Sequence, residues 1–315
     1  MTKTSSKPPV AGVDVGKAWL DVAVANGTAM RVPNDAAGHD QLRAILDQHR
    51  VERVGLEASG GYERLIVTAL REAGYLVTVL QPAQVRAYAR FRLKRAKTDR
   101  IDAQLIAECV AAIETPRPAP DARLAPFAEH LTFIEQIEDD LARAKTRLEH
   151  LHDERLRTRL LNEVERLRAW RRDELKLLAA AIRRHDDLAR RVELMLSIPG
   201  LGERTALALL VRLPELGSLT REEVAALVGV APFHHQSGRH AGERHIAGGR
   251  KRLRKSLFAA AQIACRRWNT ALIDLYARLR QANKPHTLAV VACTRKLAIY
   301  ANTVLARDTP WQPQA

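Results

Sequence analysis

The stretch "VAGVDVGKAWLDVAVANG", residues 10–27, decides the fold of the first part of the chain. Two apolar runs flank Gly16 and Lys17, a pattern that predicts two strands of a hairpin turning at that pair. Asp14 stands near the end of the first run. Burying a carboxylate in a hydrophobic strand is costly unless it is paired or binds a metal ion, so Asp14 is a candidate functional residue.

Strand-like and helix-like segments alternate from the hairpin to about residue 112. Antiparallel strands followed by such alternation predict a mixed sheet with helices on its faces. The tract "ETPRPAPDARLAP" (114–126) contains four prolines and is predicted to be a linker. The strand-like segments are "AMRVP" (29–33), "RVGLEA" (53–58) and "YLVTVLQP" (75–82), and the helix-like ones are "GHDQLRAILDQH" (38–49), "GYERLIVTALREAG" (61–74) and "AQVRAYARFR" (83–92).

The middle of the chain has the pattern of long helices. No Gly or Pro occurs between Phe127 and Ile198, and apolar residues recur every three or four positions. This spacing predicts two long helices, or one helix with a register shift at "HDERLR" (152–157), that pack on each other or on a second subunit. The near-heptad positions are Phe127, Leu131, Ile134, Ile137, Leu141, Ala144, Leu148, Leu151, Leu160, Val164 and Leu167.

The chain is strongly basic, with 51 Lys or Arg against 36 Asp or Glu among 315 residues, a net charge of +15. Such an excess indicates a polyanionic partner, nucleic acid before a membrane surface. No apolar run approaches the roughly 18 residues of a membrane-spanning helix, and "MTKTSSKPPV" lacks the apolar stretch of a signal peptide. We therefore expect a cytoplasmic protein with no membrane contact. Cys109, Cys265 and Cys293 are far apart and are expected in the core.

Four carboxylates of the first zone form a candidate metal-ligand set. Glu57 ends the apolar run in "RVGLEASGG", and Asp99 and Asp102 lie three positions apart in "RAKTDRIDAQLIA" (95–107). A helix would bring the latter two onto one face, where like charges repel unless a cation lies between them. With Asp14 they offer the hard oxygen ligands that hold Mg²⁺ or Mn²⁺, and two such ions about 3.5–4 Å apart support phosphodiester cleavage.

Each carboxylate also has a structural alternative. Asp99 fits the N-cap of a solvated helix, and Glu57 fits a cap at a strand end. Asp14 with Gly16 and Lys17 resembles the first phosphate loop of actin-like ATPases, but the second Gly-rich loop that those enzymes need does not occur. The joint pattern therefore favours a metal site.

The last zone opens with "LSIPGLGERTALALLVRLPEL" (196–216), whose short P-G-x-G turn before a small-residue helix predicts a helix-hairpin-helix. In that motif Gly200 and Gly202 would let backbone N–H groups approach a DNA phosphate at a helix N-terminus. The alternative is a plain helix-turn-helix packing unit.

A basic segment follows, because from Ala231 to Trp268 nine Arg or Lys stand against one Glu. Aromatic residues make up only 4% of the chain, so phosphate contact rather than base stacking is expected. Ser237 is a candidate nucleophile if Arg, His or a metal ion stabilises its alkoxide, although a Ser-Gly pair is usually only a turn. The histidines fit no compact zinc site. The candidate nucleic-acid contacts are Lys94, Arg95, Lys97, Arg100, Gly200, Gly202, Arg239, Arg250, Lys251, Arg252, Arg254 and Lys255.

These motifs resemble the IS110 family of insertion-sequence transposases, which are relatives of the Piv-type DNA invertases. "GVDVGK", "LEASGGY" and "KTDRIDA" are similar to the family's DEDD set. "IPGLGERTALALL", "VGVAPFHHQSG" and "GGRKRLRKSLFAAA" are similar to its second conserved domain, with Ser237 at the serine position. The resemblance runs from about Val10 to Leu305 in the family's order.

The resemblance implies a fold and a mechanism. The expected fold is α/β plus all-α: a RuvC-like, ribonuclease-H-type domain (1–120), a coiled-coil arm (121–195) and a helical transposase domain (196–315). The expected protein is a recombinase whose carboxylates bind Mg²⁺ or Mn²⁺ and whose serine forms a covalent link to DNA. A structured bridge RNA would direct it to donor and target DNA. The active site would be assembled in a homodimer or homotetramer.

Two other functions remain open at this level. A RuvC-like nuclease or Holliday-junction resolvase would hydrolyse DNA with water and would not need Ser237. A non-enzymatic nucleic-acid-binding protein would use only the helix-hairpin-helix and the basic segment.

Overall fold

The computed structural model describes residues 9–24, 27–93, 99–114, 121–233, 236–237, 240–241 and 245–312. The chain divides into two compact units, Met1–Ala119 and Pro120–Ala315, called here the N-terminal and the C-terminal unit. The arm and the last predicted domain both fall within the C-terminal unit, and their division near residue 195 stays a prediction.

The N-terminal unit is built on one five-stranded mixed sheet, as the sequence predicts. Its strand order is β3-β2-β1-β4-β5. The first three strands form an antiparallel meander, and β4 and β5 run parallel to β1. Its elements are β1 (Val10–Val15), β2 (Trp19–Val24), β3 (Ala29–Pro33), α1 (Ala36–Gln48), β4 (Arg53–Glu57), α2 (Arg64–Glu72), β5 (Leu76–Leu80), α3 (Pro82–Phe91) and α4 (Asp99–Ala111).

The two faces of this sheet are covered by different helices. Val13 and Leu20 pack with Leu42 of α1 and Leu70 of α2 on one face. On the other face, a second cluster joins the strands to α3 and α4, with Val10, Leu80, Val85, Ile106 and Val110 among its members. Because side chains alternate along a strand, Gly12 and Asp14 lie on the face that α4 covers.

Two glycines allow α4 to lie directly on the sheet. A Cβ atom on Gly12 would overlap the carbonyl oxygen of Ala103 and the backbone of Ala107. A Cβ atom on Gly55 would overlap the side chain of Val110. Neither glycine has a positive φ, so this close approach, and not a turn, is the reason for glycine at both positions.

The C-terminal unit is mostly helical. A long helical hairpin comes first, three short helices follow, and two small strand pairs precede the last three helices. Its elements are α5 (Leu124–Glu149), α6 (Glu154–Arg183), α7 (Asp186–Leu196), α8 (Glu203–Arg212), α9 (Arg221–Val228), β6 (Pro232–Phe233), β7 (Gln236–Ser237), β8 (His240–Ala241), β9 (His245–Ile246), α10 (Lys251–Arg267), α11 (Thr270–Gln281) and α12 (His286–Arg307).

The helical hairpin settles the choice between one and two long helices in favour of two. The chain reverses at residues 150–153, so that His130 lies 2.8 Å from Glu174 and the ring of Phe133 contacts that of Trp170. The last three residues of the predicted linker, 124–126, belong to α5. Pro126 is the third residue of α5, where its missing N–H costs no helical hydrogen bond.

The apolar stripe of the hairpin divides into two clusters. Leu131 and Ile134 belong to the main core of the C-terminal unit, while Leu141 and Val164 belong to a separate cluster farther along the hairpin. All three cysteines are buried and free, which confirms the prediction that they are core residues.

Helix α12 passes through the main core, where Val290, Leu297 and Ala301 are fully buried. Within the described part of the chain it is also the one helix long and apolar enough to cross a membrane, with a mean hydropathy of 1.3. Because 56% of that apolar window is buried inside the protein, α12 has the burial of a core helix.

Candidate active site

A row of charged side chains crosses four strands of the sheet. Asp14 of β1 pairs with Asp21 of β2, and Asp21 pairs with Arg31 of β3. On the other side Val13 is the register partner of Leu56, which brings Glu57 of β4 next to Asp14. Residues opposite each other in a sheet point to the same face. We call Asp21, Asp14 and Glu57 the carboxylate row, with Arg31 at its end. The row lies on the face that α4 covers.

Asp102 belongs to α4, the helix that covers the end of β1 that carries Asp14. Val10 shares a cluster with Val110, whereas Gly12 meets Ala103, so β1 runs toward the start of α4. Asp14, two residues beyond Gly12, therefore lies under the first turns of α4, where Asp102 stands half-buried. Asp99 is the first residue of α4, and its side chain lies outside the described residues.

The donor chemistry of this region suits a divalent metal ion. Among the described residues no three His, Cys, Asp or Glu side chains form a metal-binding group, so Asp14, Glu57 and Asp102 do not form one by themselves. Mg²⁺ in proteins often uses only one or two carboxylates and takes its other ligands from water and substrate phosphates. Asp14 and Glu57, neighbours on one face, fit that mode of binding.

Asp21 is a member of the row that the sequence interpretation missed. Arg31 donates two hydrogen bonds to it, from Nε to Oδ1 and from Nη2 to Oδ2, both 2.9 Å long. The predicted turn at residues 16 and 17 would pair Asp14 with Trp19. The actual turn is one residue later, with Gly16 N donating to Trp19 O, and this register brings Asp21 opposite Asp14. A one-residue shift of a hairpin changes every cross-strand pair.

The two loops beside Asp14 and Glu57 are tied together by Asn34. Its Nδ2 donates to Gly16 O at 2.9 Å and to Tyr62 O at 3.3 Å, and its Oδ1 lies 3.0 Å from Nε2 of His39. Burial lowers the pKa of His39, with the nearby Asp35 and Asp40 opposing that shift. The lowered pKa favours the neutral ring, which stays hydrogen-bonded to Asn34.

Glu63 fixes the loop that follows Glu57. Its Oε2 accepts hydrogen bonds from Ser59 N, Ser59 Oγ and Gly61 N at 3.1, 2.9 and 2.8 Å. Burial alone would raise the pKa of Glu63, but these hydrogen bonds outweigh it and lower the pKa. The carboxylate therefore acts as a charged anchor for the loop.

Ser237 lies in the small hairpin of β7 and β8, where it is the register partner of His240. Its side chain lies outside the described residues, as do Gly238 and Arg239. Lys94, Arg95 and Lys97, and the side chain of Arg100, fall outside them as well. The roles predicted for these residues stay predictions.

Several of the predicted nucleic-acid contacts have partners within the protein. Arg250 makes a two-point ion pair with Glu215 at 2.7 and 3.0 Å. Arg254 donates to the carbonyl oxygens of Gly229 and Gly248, at 3.1 and 2.6 Å. Both arginines therefore stabilise the fold of the C-terminal unit.

The helical hairpin supplies partners to two more of the predicted contacts. Arg252 lies 2.7 Å from Glu135, and Lys255 lies 3.2 Å from Asp139. Lys255 remains largely exposed, and Lys251 is exposed with no ion-pair partner among the described side chains.

The two glycines of the P-G-x-G turn have different surroundings. Gly200 has a φ of +89°, and a Cβ atom there would overlap Ala264 of α10, so the fold itself requires glycine. Gly202 precedes α8 with open space around it. It borders a groove of about 810 Å³ between the turn, α5, α8 and α10, which Lys145 and Arg171 also line.

Comparisons with known proteins identify related transposases and recombinases. A model of the DEDD transposase domain of IS110 elements, described as a transposase, matches residues 11–156, and the model described as "Transposase IS116/IS110/IS902 family" matches residues 192–277. The pilin gene-inverting proteins of Moraxella bovis and Moraxella lacunata are 28% and 27% identical, over 95% of this chain and 96% of theirs. An uncharacterized 43.6 kDa protein of insertion element IS110 from Streptomyces coelicolor is 35% identical over 32% of this chain and 25% of its own.

Proposed function

Because the chain belongs to the IS110 family of transposases and is a DNA recombinase, we propose that it cuts and rejoins specific DNA sites with a carboxylate centre and a serine. The carboxylate row supports this most directly, since neighbouring strands bring Asp14 and Glu57 side by side. The strand order and the mixed directions of the sheet support a RuvC-like N-terminal domain.

In the proposed reaction Asp14, Glu57, Asp99 and Asp102 would hold one or two divalent ions, Mg²⁺ or Mn²⁺. When bound, such ions polarise the phosphate and stabilise the oxygen that leaves. Asn34 and Glu63 keep the loops beside Asp14 and Glu57 in place, so the carboxylates need little rearrangement when DNA binds.

Ser237 is the proposed nucleophile. Its Oγ gives up a proton to a neighbouring base and attacks phosphorus, forming a phosphoserine ester while one DNA phosphoester bond breaks. The DNA oxygen that leaves takes up a proton. A hydroxyl of the partner strand then attacks the phosphoserine and releases Ser237, so strands are exchanged without ATP because the ester conserves the bond energy.

The proposed partners are donor DNA, target DNA and a structured guide RNA, with a dimer or tetramer as the active form. The net charge of +15 supports a nucleic-acid partner. Two exposed apolar residues of α6 that share one face, Trp170 and Leu177, support coiled-coil packing of the helical hairpin on a second copy. The open space at Gly202 supports a helix-hairpin-helix contact to phosphate.

Asp14→Asn and Glu57→Gln test the carboxylate centre. Each substitution keeps the shape of the side chain but removes a carboxylate charge that would hold a divalent ion. We therefore expect DNA strand exchange to fall about a hundredfold or more. Melting temperature should change little, because each substitution keeps the shape of the side chain. Strand exchange and thermal unfolding are measured on the same preparations with Mg²⁺.

The control is Asp40→Asn, an exposed carboxylate of α1 that pairs with Arg43 and lies off the row. It should retain the activity of the parent. Full strand exchange by Asp14→Asn or by Glu57→Gln would remove that residue from the proposed centre.

A further inference from the structure

A small pocket of about 120 Å³ lies in the C-terminal unit, between the start of α9, the second half of α12 and residues 309–312. Helix α12 lines it with Lys296, Tyr300, Thr303 and Arg307. These positions are spaced by four, three and four residues, so they share one face of the helix. The start of α9 contributes Arg221 from the other side.

The end of the chain is folded back to form a wall of this pocket. Trp311 N donates to Ser197 Oγ at 2.7 Å, and the rings of Trp311 and Tyr300 lie 4.1 Å apart between centroids. Thr309 N donates to Val304 O at 3.3 Å. The pocket is therefore held by backbone hydrogen bonds and ring packing.

The charge of the pocket is unbalanced. Of the described residues that line it, Arg221, Lys296 and Arg307 are charged, and none is Asp or Glu. None of the three has an ion-pair partner among the described residues; Lys296 Nζ instead lies 5.5 Å from the centre of the Tyr300 ring. Like charges held together raise the free energy of the folded state unless an anion lies between them.

Arg190 and Arg191, in the same unit, have partners within the fold. Arg190 pairs with Asp308 at 3.4 Å, and Arg191 donates to Leu216 O at 2.7 Å. Within the described part of the chain, carboxylates therefore neutralise an arginine next to the pocket but none of the three cations that line it.

We propose that this pocket binds a phosphate group through Arg221, Lys296 and Arg307. Arginine presents planar N–H groups that match phosphate oxygens, and lysine adds a compact charge. The volume suits one tetrahedral anion and is well below the roughly 300–1,000 Å³ of sites for larger ligands. The site is separate from the carboxylate row and from Ser237, so it goes beyond the proposed recombination chemistry.

Inorganic phosphate is the probe for the first experiment. The melting temperature of the full chain is followed as phosphate replaces chloride at constant ionic strength. We expect phosphate to raise it, because an anion that binds only the folded state stabilises that state. The double variant Arg221→Gln/Arg307→Gln should lose most of this rise. Lys296→Met, which keeps an aliphatic contact with Tyr300, should lose part of it.

The matched control is Arg295→Gln, which removes a charge next to Lys296 on the same helix but outside the pocket. It should keep the rise of the parent. Equal effects of phosphate and chloride on the parent would overturn the proposal. The proposal is also overturned if the control loses the phosphate-induced rise in melting temperature as fully as the double variant does.

A second experiment identifies the source of the phosphate. Affinity for a short DNA duplex is measured over a series of salt concentrations. If the pocket holds a backbone phosphate, the salt dependence of the double variant should be weaker by about one released counterion, with the control unchanged. If the salt dependence stays the same while the phosphate-induced rise is lost, the ligand is a free phosphate compound.

Discussion

Asp21 and Arg31 determine the charge next to Asp14. Arg31 is bound to Asp21 through both carboxylate oxygens, and Asp21 is the cross-strand neighbour of Asp14. While this ion pair is intact, the Arg31 guanidinium is neutralised by Asp21, on the strand next to that of Asp14. In the proposed mechanism Asp21 would therefore be a positioning residue that keeps Arg31 away from Asp14.

We expect Asp21→Asn to lower DNA strand exchange about tenfold, because loss of the Asp21 charge leaves the positive charge of Arg31 to act on Asp14. The double variant Asp21→Asn/Arg31→Gln should recover part of that loss. A double-mutant cycle on strand exchange, with its dependence on Mg²⁺ concentration, measures the coupling. If single and double variants are equally impaired, Arg31 does not act through Asp14.

Glu135 is a buried charge on which three arginines converge. Arg212 and Arg252 lie 2.8 and 2.7 Å from it, and Arg204 lies 3.8 Å away. Only 7% of the Glu135 side chain is exposed, so water cannot replace it as a partner. It connects α5 of the helical hairpin to α8 and α10.

Replacing Glu135 with Gln should lower the free energy of unfolding by about 2–3 kcal/mol, because it leaves partly buried guanidinium groups without a counter-charge. Urea denaturation measures the change. Glu163→Gln is the control, since its pair with Arg166 on α6 is exposed and should contribute almost nothing. Equal stability of the two variants would show that Glu135 does not join the hairpin to the core.

At the scale of elements, α4 positions Asp102 only because it lies directly on β1 and β4. Gly12→Ala would overlap backbone atoms of α4, which cannot move like a flexible side chain. We expect a loss of stability of about 3 kcal/mol, at the upper end for overpacking, together with reduced strand exchange. Chemical denaturation and the exchange assay measure the two effects.

Gly202→Ala serves as the comparison, because open space surrounds that residue and its φ is −83°. It should cost less than about 1 kcal/mol, the usual range for a change at a helix N-cap. If Gly12→Ala is as mild as Gly202→Ala, the close contact of α4 with the sheet does not determine the position of Asp102.

The order of strands and helices in the N-terminal unit could be predicted from the sequence because it depends on local alternation of apolar residues. The pairing of Asp14 with Asp21 could not, since it depends on a turn position that shifts by one residue without changing the apolar pattern. The inward ion pairs of Arg250 and Arg252 could not either. A run of basic residues looks the same in sequence whether its charges face DNA or carboxylates of a distant helix.

At the scale of the whole molecule, the groups proposed for catalysis are divided between the two units. The carboxylates belong to the N-terminal unit, and Ser237 belongs to the C-terminal unit. A nuclease that uses water would need only the former. Whether strand cutting requires Ser237 therefore distinguishes a recombinase that conserves the phosphoester from a hydrolase.

Trapping the covalent intermediate tests the central claim most directly. The full chain is incubated with a nicked suicide DNA substrate, Mg²⁺ and RNA transcribed from the flanks of its gene, and the denatured products are mapped by mass spectrometry. We expect a phosphoserine adduct at Ser237 that is absent from Ser237→Ala and strongly reduced in Asp14→Asn. Undiminished adduct from Ser237→Ala, or an adduct mapped to another hydroxyl such as Ser256 or Tyr300, would contradict it.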